Sequence, residues 1–288
     1  MRLLSAGEIH VEPRALDAKV AVFSLDLETD FGTGLTEAMS QLPRFVELMA
    51  ELDVPWTAFV EGQLFEHRRD IIAMLRGAGV DLQLHCYDHG QPGDTPEAMR
   101  RSSAVYADVM GRKAGGYRAH TYRLTRALFD TLVEEEFLWD SSLMRAFAQG
   151  RNTHPGFRTG DYLVLNRELL EFPVATWRGL PIALNHTHLL LAKTPGEMLL
   201  RAVSGPPPLV VYNFHMTDLV RCDSLGAAVR TPAVKVLYRY LWSTHGRDTF
   251  PIVRRFVRYL RGRGYTLETM SRLFERVRGD VMDSAIGR

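Results

Sequence analysis

"KVAVFSLDLE", Lys19 to Glu28, decides the fold. Val20-Ala21-Val22-Phe23 is apolar on consecutive residues, the pattern of a strand covered on both faces, and such strands belong to parallel sheets flanked by helices. The run ends on Asp26 and Glu28. In α/β folds the carboxyl ends of the strands converge on the face where functional groups collect.

Working outward, "LTEAMSQLPRFVELMAELD" carries Leu42, Phe45, Val46, Met49 and Leu52 at helical spacing, with Pro43 as a kink. "PWTAFVEG" reads as a second strand, "RRDIIAMLRGAG" as a helix closed by glycine, and "VDLQLH" as a third strand. "TPEAMRRSSAVYADVMG" is a helix capped by Thr95 with Pro96 in its first turn; "GGYRAHTY" is a short strand, and "TRALFDTLVEEE" followed by "FLWDSSL" repeats the alternation. Beyond an irregular stretch from Met144 to Asp161, "YLVLNRELLEFPVAT" and "GLPIALNHTHLLL" read as strands, "PGEMLLRAV" as a short helix and "PPLVVYNFH" as a buried strand with a polar end. The βαβα order predicts an α/β fold with a mostly parallel sheet, open or closed into a barrel. No linker-like composition or internal repeat divides residues 1–288, so a single domain is expected.

Composition narrows the function. The chain has 288 residues, 46% of them hydrophobic, and a formal net charge of +1, which points to neither nucleic acid nor an acidic substrate. Cys86 and Cys222 are far apart and form no CxxC pair. The N-terminus lacks the apolar core of a signal peptide, being interrupted by Glu8, His10 and Glu12, and no run reaches the roughly 18 apolar residues of a membrane span. A cytoplasmic location is the expectation.

The polar strand ends carry the chemistry. "LHCYDH", Leu84 to His89, spaces His85 and His89 four apart after the third strand, so that one helical turn would bring both imidazoles to one side. Arg118, Asp140 and His215 end later strands. Two imidazoles and one carboxylate, from Glu28 or Asp26, make a three-ligand set that leaves positions open for water, and the other carboxylate is then placed to take a proton. Taken singly, Asp26 and Glu28 also read as solvated strand-end charges, Arg118 as a salt-bridge partner and Asp140 as a helix cap.

With these residues in order, the chain from about Lys19 to Leu273 resembles the polysaccharide deacetylase family, carbohydrate esterase family four. "SLDLE" is similar to its FDxD/E motif, "HCYDH" to HTYDH and "YRAH" to RxP; "LWDSSL", "VVYNFH" and the closing "LRGRGYTLETMSRL" follow in the family's order. The resemblance implies a distorted (β/α) barrel and a hydrolase that removes an N-acetyl or N-formyl group from an amino sugar in glycan or glycolipid biosynthesis. It implies one divalent metal ion, Zn2+ ahead of Co2+ or Ni2+, held by Glu28, His85 and His89. Asp26 would be the general base, oriented by Arg118, and His215 the general acid, tuned by Asp140. The chain departs from the family in the position of Glu28, in His120 where the family has proline, and in Cys86, read as an incidental neighbour. His186 and His188 compete with His215 for the acid role. The motifs also look like those of family members that act on sugars carried by a polyprenyl phosphate.

Between Arg221 and Arg263 ten Lys/Arg face two Asp/Glu, interleaved with aromatics such as Tyr238, Trp242 and Phe256. Such a segment either packs its aromatics on the barrel or makes peripheral contact with the inner face of a membrane. The expected partner is an N-acylated amino sugar, lipid- or nucleotide-linked, and not nucleic acid. Two other readings stand beside the deacetylase: a metal-independent amidohydrolase on a small amide or ureide, and a non-catalytic carbohydrate-binding relative.

Overall fold

Val20–Leu27 is a strand buried along its entire length, as its unbroken apolar run requires. It lies in a computed structural model that describes residues 2–29, 36–88, 94–144, 157, 160–180, 182–222, 236, 240, 242–243 and 247–279. Among these residues the strands are β1 (Val11–Arg14), β2 (Val20–Leu27), β3 (Trp56–Val60), β4 (Asp81–Leu84), β5 (Gly116–Tyr117), β6 (Trp139–Asp140), β7 (Tyr162–Leu165), β8 (Leu169–Glu171), β9 (Leu209–His215) and β10 (Thr266–Glu268). They form one sheet in the order β1-β7-β8-β6-β5-β4-β3-β2-β10, with β9 also paired to β2. From β9 through β2, β3, β4, β5 and β6 to β8 every pairing is parallel; β7 and β1 continue antiparallel.

The sheet curls back on itself. After β8, Val174 bridges Met144, and the Ala175 N–H donates to the Val211 carbonyl of β9 at 3.2 Å. The two ends of the parallel array thus meet through local backbone contacts and not through a continuous ladder, which makes the fold a distorted (β/α) barrel. Alternation along β2 sorts the side chains: Val20 and Val22 pack inside against Phe59, Trp139, Leu170 and Val211, while Ala21, Phe23, Leu25 and Leu27 pack outside beneath helices. The closing helix Met270–Val277 plugs the interior with Met270, Leu273 and Val277. Burying each such side chain contributes about 1.5–3 kcal/mol before the entropy of ordering it. Gly116 is required by the interior packing, because a Cβ there would lie 2.1 Å from the Trp139 ring.

The outer layer holds α1 (Leu42–Glu51), α2 (Gly62–His67), α3 (Arg69–Gly77), α4 (Pro96–Met110) and α5 (Arg126–Glu134). α4 begins as its sequence predicts, with Thr95 Oγ1 accepting the Ala98 N–H at 3.1 Å, and ends on Gly111 at φ 69°. Two expectations are corrected. Pro43 produces no kink, since α1 begins at Leu42 and Pro43 falls in its first turn, where a missing N–H costs nothing. "NHTHLLL" is not a strand: Asn185 caps α6 (His186–Val203) by accepting the His188 N–H at 2.9 Å. "PGEMLLRAV" continues that element beyond a break at Lys193, φ 56°. The element that follows β9 is the single turn α7 (Met216–Leu219).

Candidate active site

The alternation that sends Val20 and Val22 inward also puts Ser24 and Asp26 on the inner row. On β9 the same holds for Asn213 and His215, with His215 opposite Asp26 in register. The inner row is apolar at the amino ends of the strands and polar at the carboxyl ends. β4 and β5 pair through Leu84 and Tyr117, so His85 and Arg118, the residues after them, emerge together on that polar end.

Arg118 is fully buried and organises the site. Its Nη1 donates to Asp26 Oδ1 at 2.7 Å and to Ser24 Oγ at 3.0 Å; Nε and Nη2 donate to the carbonyl and hydroxyl of Ser141 at 3.1 and 2.9 Å. The guanidinium lies 3.9 Å over the Phe59 ring. A buried charge pair is tolerated only when nearly every donor is satisfied, and Arg118 meets that condition. Just downstream, Thr121 and Tyr122 hold left-handed backbone, φ 53° and 57°. For residues with a Cβ this costs energy and is found where surrounding structure fixes a functional geometry.

The Arg118 carbonyl accepts the Nδ1–H of His85 at 2.7 Å. Nδ1 is therefore the protonated nitrogen, and Nε2 points at Glu28 Oε2, 3.3 Å away. With Nε2 unprotonated, its lone pair would face a carboxylate oxygen, an arrangement that suits a cation between them. Glu28 and His85 thus fit as two metal ligands. The third expected ligand, His89, lies outside the described residues, among which no group of three or more His, Cys, Asp or Glu could hold a metal ion.

His215 Nε2 is 3.6 Å from Asp26 Oδ2 and 4.0 Å from Glu28 Oε1. Its Nδ1–H donates to Asp218 Oδ2 at 3.0 Å, and its backbone N–H donates to the same oxygen at 3.1 Å. Burial opposes the imidazolium, but the Asp218 hydrogen bond and the charges of Glu28, Asp218 and Asp26 outweigh it and raise the pKa to about 9. Asp218 is held in turn by Thr187 Oγ1, which donates to its Oδ1 at 3.0 Å. The partner of His215 is therefore Asp218, where the family pattern had assigned Asp140. Asp140 instead accepts the Ser142 hydroxyl at 2.7 Å and the Ser142 N–H at 3.1 Å, in register with Glu171 on β8. Burial raises the pKa of both carboxyls, Glu171 strongly, with the charge of Asp140 adding to the effect. Two carboxyls so placed share a proton.

The remaining histidines separate. His186 is fully buried, bonded to the Tyr212 hydroxyl at 2.7 Å and to Thr249 Oγ1 at 2.8 Å, a structural core position. The His188 ring bonds to Asn185 Oδ1 at 2.6 Å. His120 donates its backbone N–H to Asp94 at 2.6 Å, and its ring lies 6.4 Å from that of His85. Cys86 is fully buried, and burial pushes its thiol well above the ordinary range, which fits an inert neighbour. In the basic segment, Tyr238 lies outside the described residues, whereas Trp242, Phe250 and Phe256 are buried in the core.

Residues 29–137 match the family model described as Polysaccharide deacetylase. That segment, under half of the 288 residues, resembles the polysaccharide deacetylase family. The match is narrower than the expected 19–273: it contains His85, His89 and Arg118, and leaves Asp26, Glu28, Asp140 and His215 outside. A curated relative, the peptidoglycan deacetylase of Helicobacter pylori, is 25% identical over 124 residues, 41% of this chain and 42% of that protein. The match thus spans about two fifths of the relative's length. Solved structures similar to this chain include a putative polysaccharide deacetylase from Mycobacterium smegmatis, 18% identical over 93% of this chain and 98% of that one, TM-score 0.45. Another is a family 4 acetyl xylan esterase from Clostridium thermocellum in complex with a cobalt ion, 12% identical over 89% and 91% of the two chains, TM-score 0.47. Among the described residues no helix is long and apolar enough to cross a membrane.

Proposed function

We propose that this protein is a carbohydrate N-deacetylase, hydrolysing the amide of an N-acylated amino sugar to a free amine and a small carboxylate within one deacetylase-like domain. The observation that carries the reading is Asp26: one carboxylate oxygen is fixed by Arg118 at 2.7 Å, and the other faces His215 Nε2 at 3.6 Å. A base and an acid thus stand side by side at the mouth of the barrel.

Each residue has a task. Arg118 holds Asp26 turned toward the site, so Asp26 can take a proton from the attacking water. His215, whose Nε2 faces Asp26, is placed to give a proton to the departing amine. Glu28 and His85, with His89, would hold a divalent metal, Zn2+ ahead of Co2+ or Ni2+, which when bound polarises the acyl oxygen and makes water more acidic. Asp140 serves this reading as part of the buried support beneath the site.

Acetyl or formyl as the acyl group, glycan or glycolipid biosynthesis as the setting, and a lipid- or nucleotide-linked sugar as the substrate belong to the same proposal. So do cytoplasmic residence and peripheral contact with an inner membrane face. The test is release of acetate and free amine from N-acetylglucosamine oligomers by wild type and Asp26→Asn. Removing the base is expected to cost about 10²–10⁴-fold in kcat. Equal rates for the two proteins would refute the assignment.

A further inference from the structure

Three residues stand side by side where β2, β3 and β4 end. Val60 of β3 pairs with Leu27 on one side and with Leu84 on the other, so the next residues across the three strands are Glu28, Glu61 and His85. The outer two are the candidate metal ligands. The middle one is a carboxylate with no solvent exposure. Burying a carboxylate is costly unless N–H groups are aimed at it.

Glu61 is tied to the segments on both sides. Its backbone N–H donates to the Leu27 carbonyl at 3.2 Å, and its Oε2 accepts the Thr29 N–H at 3.2 Å. Glu28 lies between those two contacts. Gln63 Nε2 donates to the same oxygen at 2.8 Å and steadies the carboxylate. On the other side, the Val60 carbonyl accepts the His85 N–H at 3.0 Å, the Gly62 N–H donates to the Cys86 carbonyl at 2.9 Å, and the Gln63 N–H donates to the Tyr87 carbonyl at 3.0 Å. The start of α2 thus holds the chain directly after His85. Glycine at position 62 permits this approach, because a Cβ there would lie 2.6 Å from Ser102 Oγ and 2.9 Å from the Tyr87 ring.

The result is a fixed span between two side chains. Glu28 follows the last residue of β2, and the bond from Thr29 to Glu61 extends the restraint past the strand end. Glu28 Oε2 and His85 Nε2 come to rest 3.3 Å apart. Metal affinity depends on hydrogen bonds of this supporting kind, and losing one typically costs about 10–100-fold.

We propose that Glu61 is a positioning residue for the metal: it holds the Thr29 amide while Gly62 and Gln63 hold Cys86 and Tyr87, and so sets Glu28 and His85 at the separation a cation needs. The inference rests on the metal site of the proposed function and adds a residue that acts through the ligands.

Co2+ is the probe, because its absorption bands report the geometry of its ligands. Titration of metal-free protein against a competing chelator compares wild type with Glu61→Leu, which offers no acceptor, and Glu61→Gln, which restores one. Amide hydrogen exchange at Thr29 in the metal-free proteins reads the clamp by itself. Glu61→Leu is expected to bind Co2+ at least about tenfold more weakly, with altered absorption bands, and to exchange the Thr29 amide at least about tenfold faster; Glu61→Gln is expected to stay within about threefold of wild type in both. Should Glu61→Leu not fold, Gln63→Leu at its half-buried position removes one support of the carboxylate, and a roughly threefold loss of Co2+ affinity is expected there. Co2+ affinity and absorption unchanged in these leucine variants would overturn the positioning role and leave the metal site intact. Glu61→Gln as weak as Glu61→Leu would also overturn it, since charge and not the hydrogen bond would then matter. Wild type that takes up no Co2+, with Thr29 exchange quickened in Glu61→Leu, would overturn the metal site on which the inference rests and leave the clamp standing.

Discussion

Asp218 Oδ2 receives two hydrogen bonds from one residue, the backbone N–H of His215 at 3.1 Å and its Nδ1–H at 3.0 Å. Three positions separate the two residues, the carboxylate occupies the third position of α7, and His215 is the cap of that turn. The imidazole is thus aimed by local geometry, and its Nε2 faces Asp26. Asp218→Asn is expected to lower kcat by about 10–100-fold with little change in KM, because the amide leaves the ring's tautomer and orientation unfixed. Asp140→Asn, which touches Ser142 and Glu171 and not His215, is expected to stay within about threefold of wild type. Steady-state kinetics of the two variants distinguishes the carboxylates; the opposite ranking would return the tuning role to Asp140.

Arg118 is predicted to be indispensable for stability as well as for orienting Asp26. Truncating it to alanine strands a buried carboxylate, which costs about 3–5 kcal/mol. The double substitution Asp26→Asn/Arg118→Met removes both charges and is expected to recover most of that loss. Urea unfolding of the single and double variants measures it, and a double variant no more stable than Arg118→Ala would contradict the charge-pair account.

Glu171 gives a pH signature. Burial holds its carboxyl, and less strongly that of Asp140, above the ordinary carboxylate range, so the folded chain keeps a proton that the unfolded chain releases. Stability from this group is fully present below the unfolded pKa and declines as pH rises toward the folded one. Glu171→Gln cannot ionise and can donate to Asp140. The variant should therefore gain stability relative to wild type between about pH 5 and pH 8. Melting temperatures of both proteins across that range provide the check, and parallel curves would refute the shared proton.

The alternation of elements was legible because β2, β3 and β9 are unbroken apolar runs and because Thr95 and Gly111 punctuate α4. The strand ends were legible because a polar residue after such a run has one place to go. α6 was misread because "ALNHTHLLL" satisfies strand and helix templates alike over so few residues; Asn185, a good cap, was the overlooked signal. β1 escaped because "VEPR" is short, charged and contains Pro13, features of an edge strand, and among the described residues it pairs with β7 alone. Asp218 was missed because the resemblance supplied another aspartate. His-x-x-Asp at a strand end, a cap with an acid at its third helical position, was the available clue.

The proposed function stands on a metal-assisted hydrolytic site in which Glu28, His85 and His89 would hold the ion beside Asp26. Its most direct test is the divalent-metal content of purified protein by elemental mass spectrometry, for wild type and His85→Ala/His89→Ala, with N-acetyl amino sugar hydrolysis followed through chelation and readdition of metal. The account predicts about one metal ion per chain, lost in the double variant together with activity, and activity abolished by chelator and restored by Zn2+, Co2+ or Ni2+. Wild-type protein that holds no metal after exposure to these ions, or that hydrolyses substrate unimpeded in chelator, would contradict it.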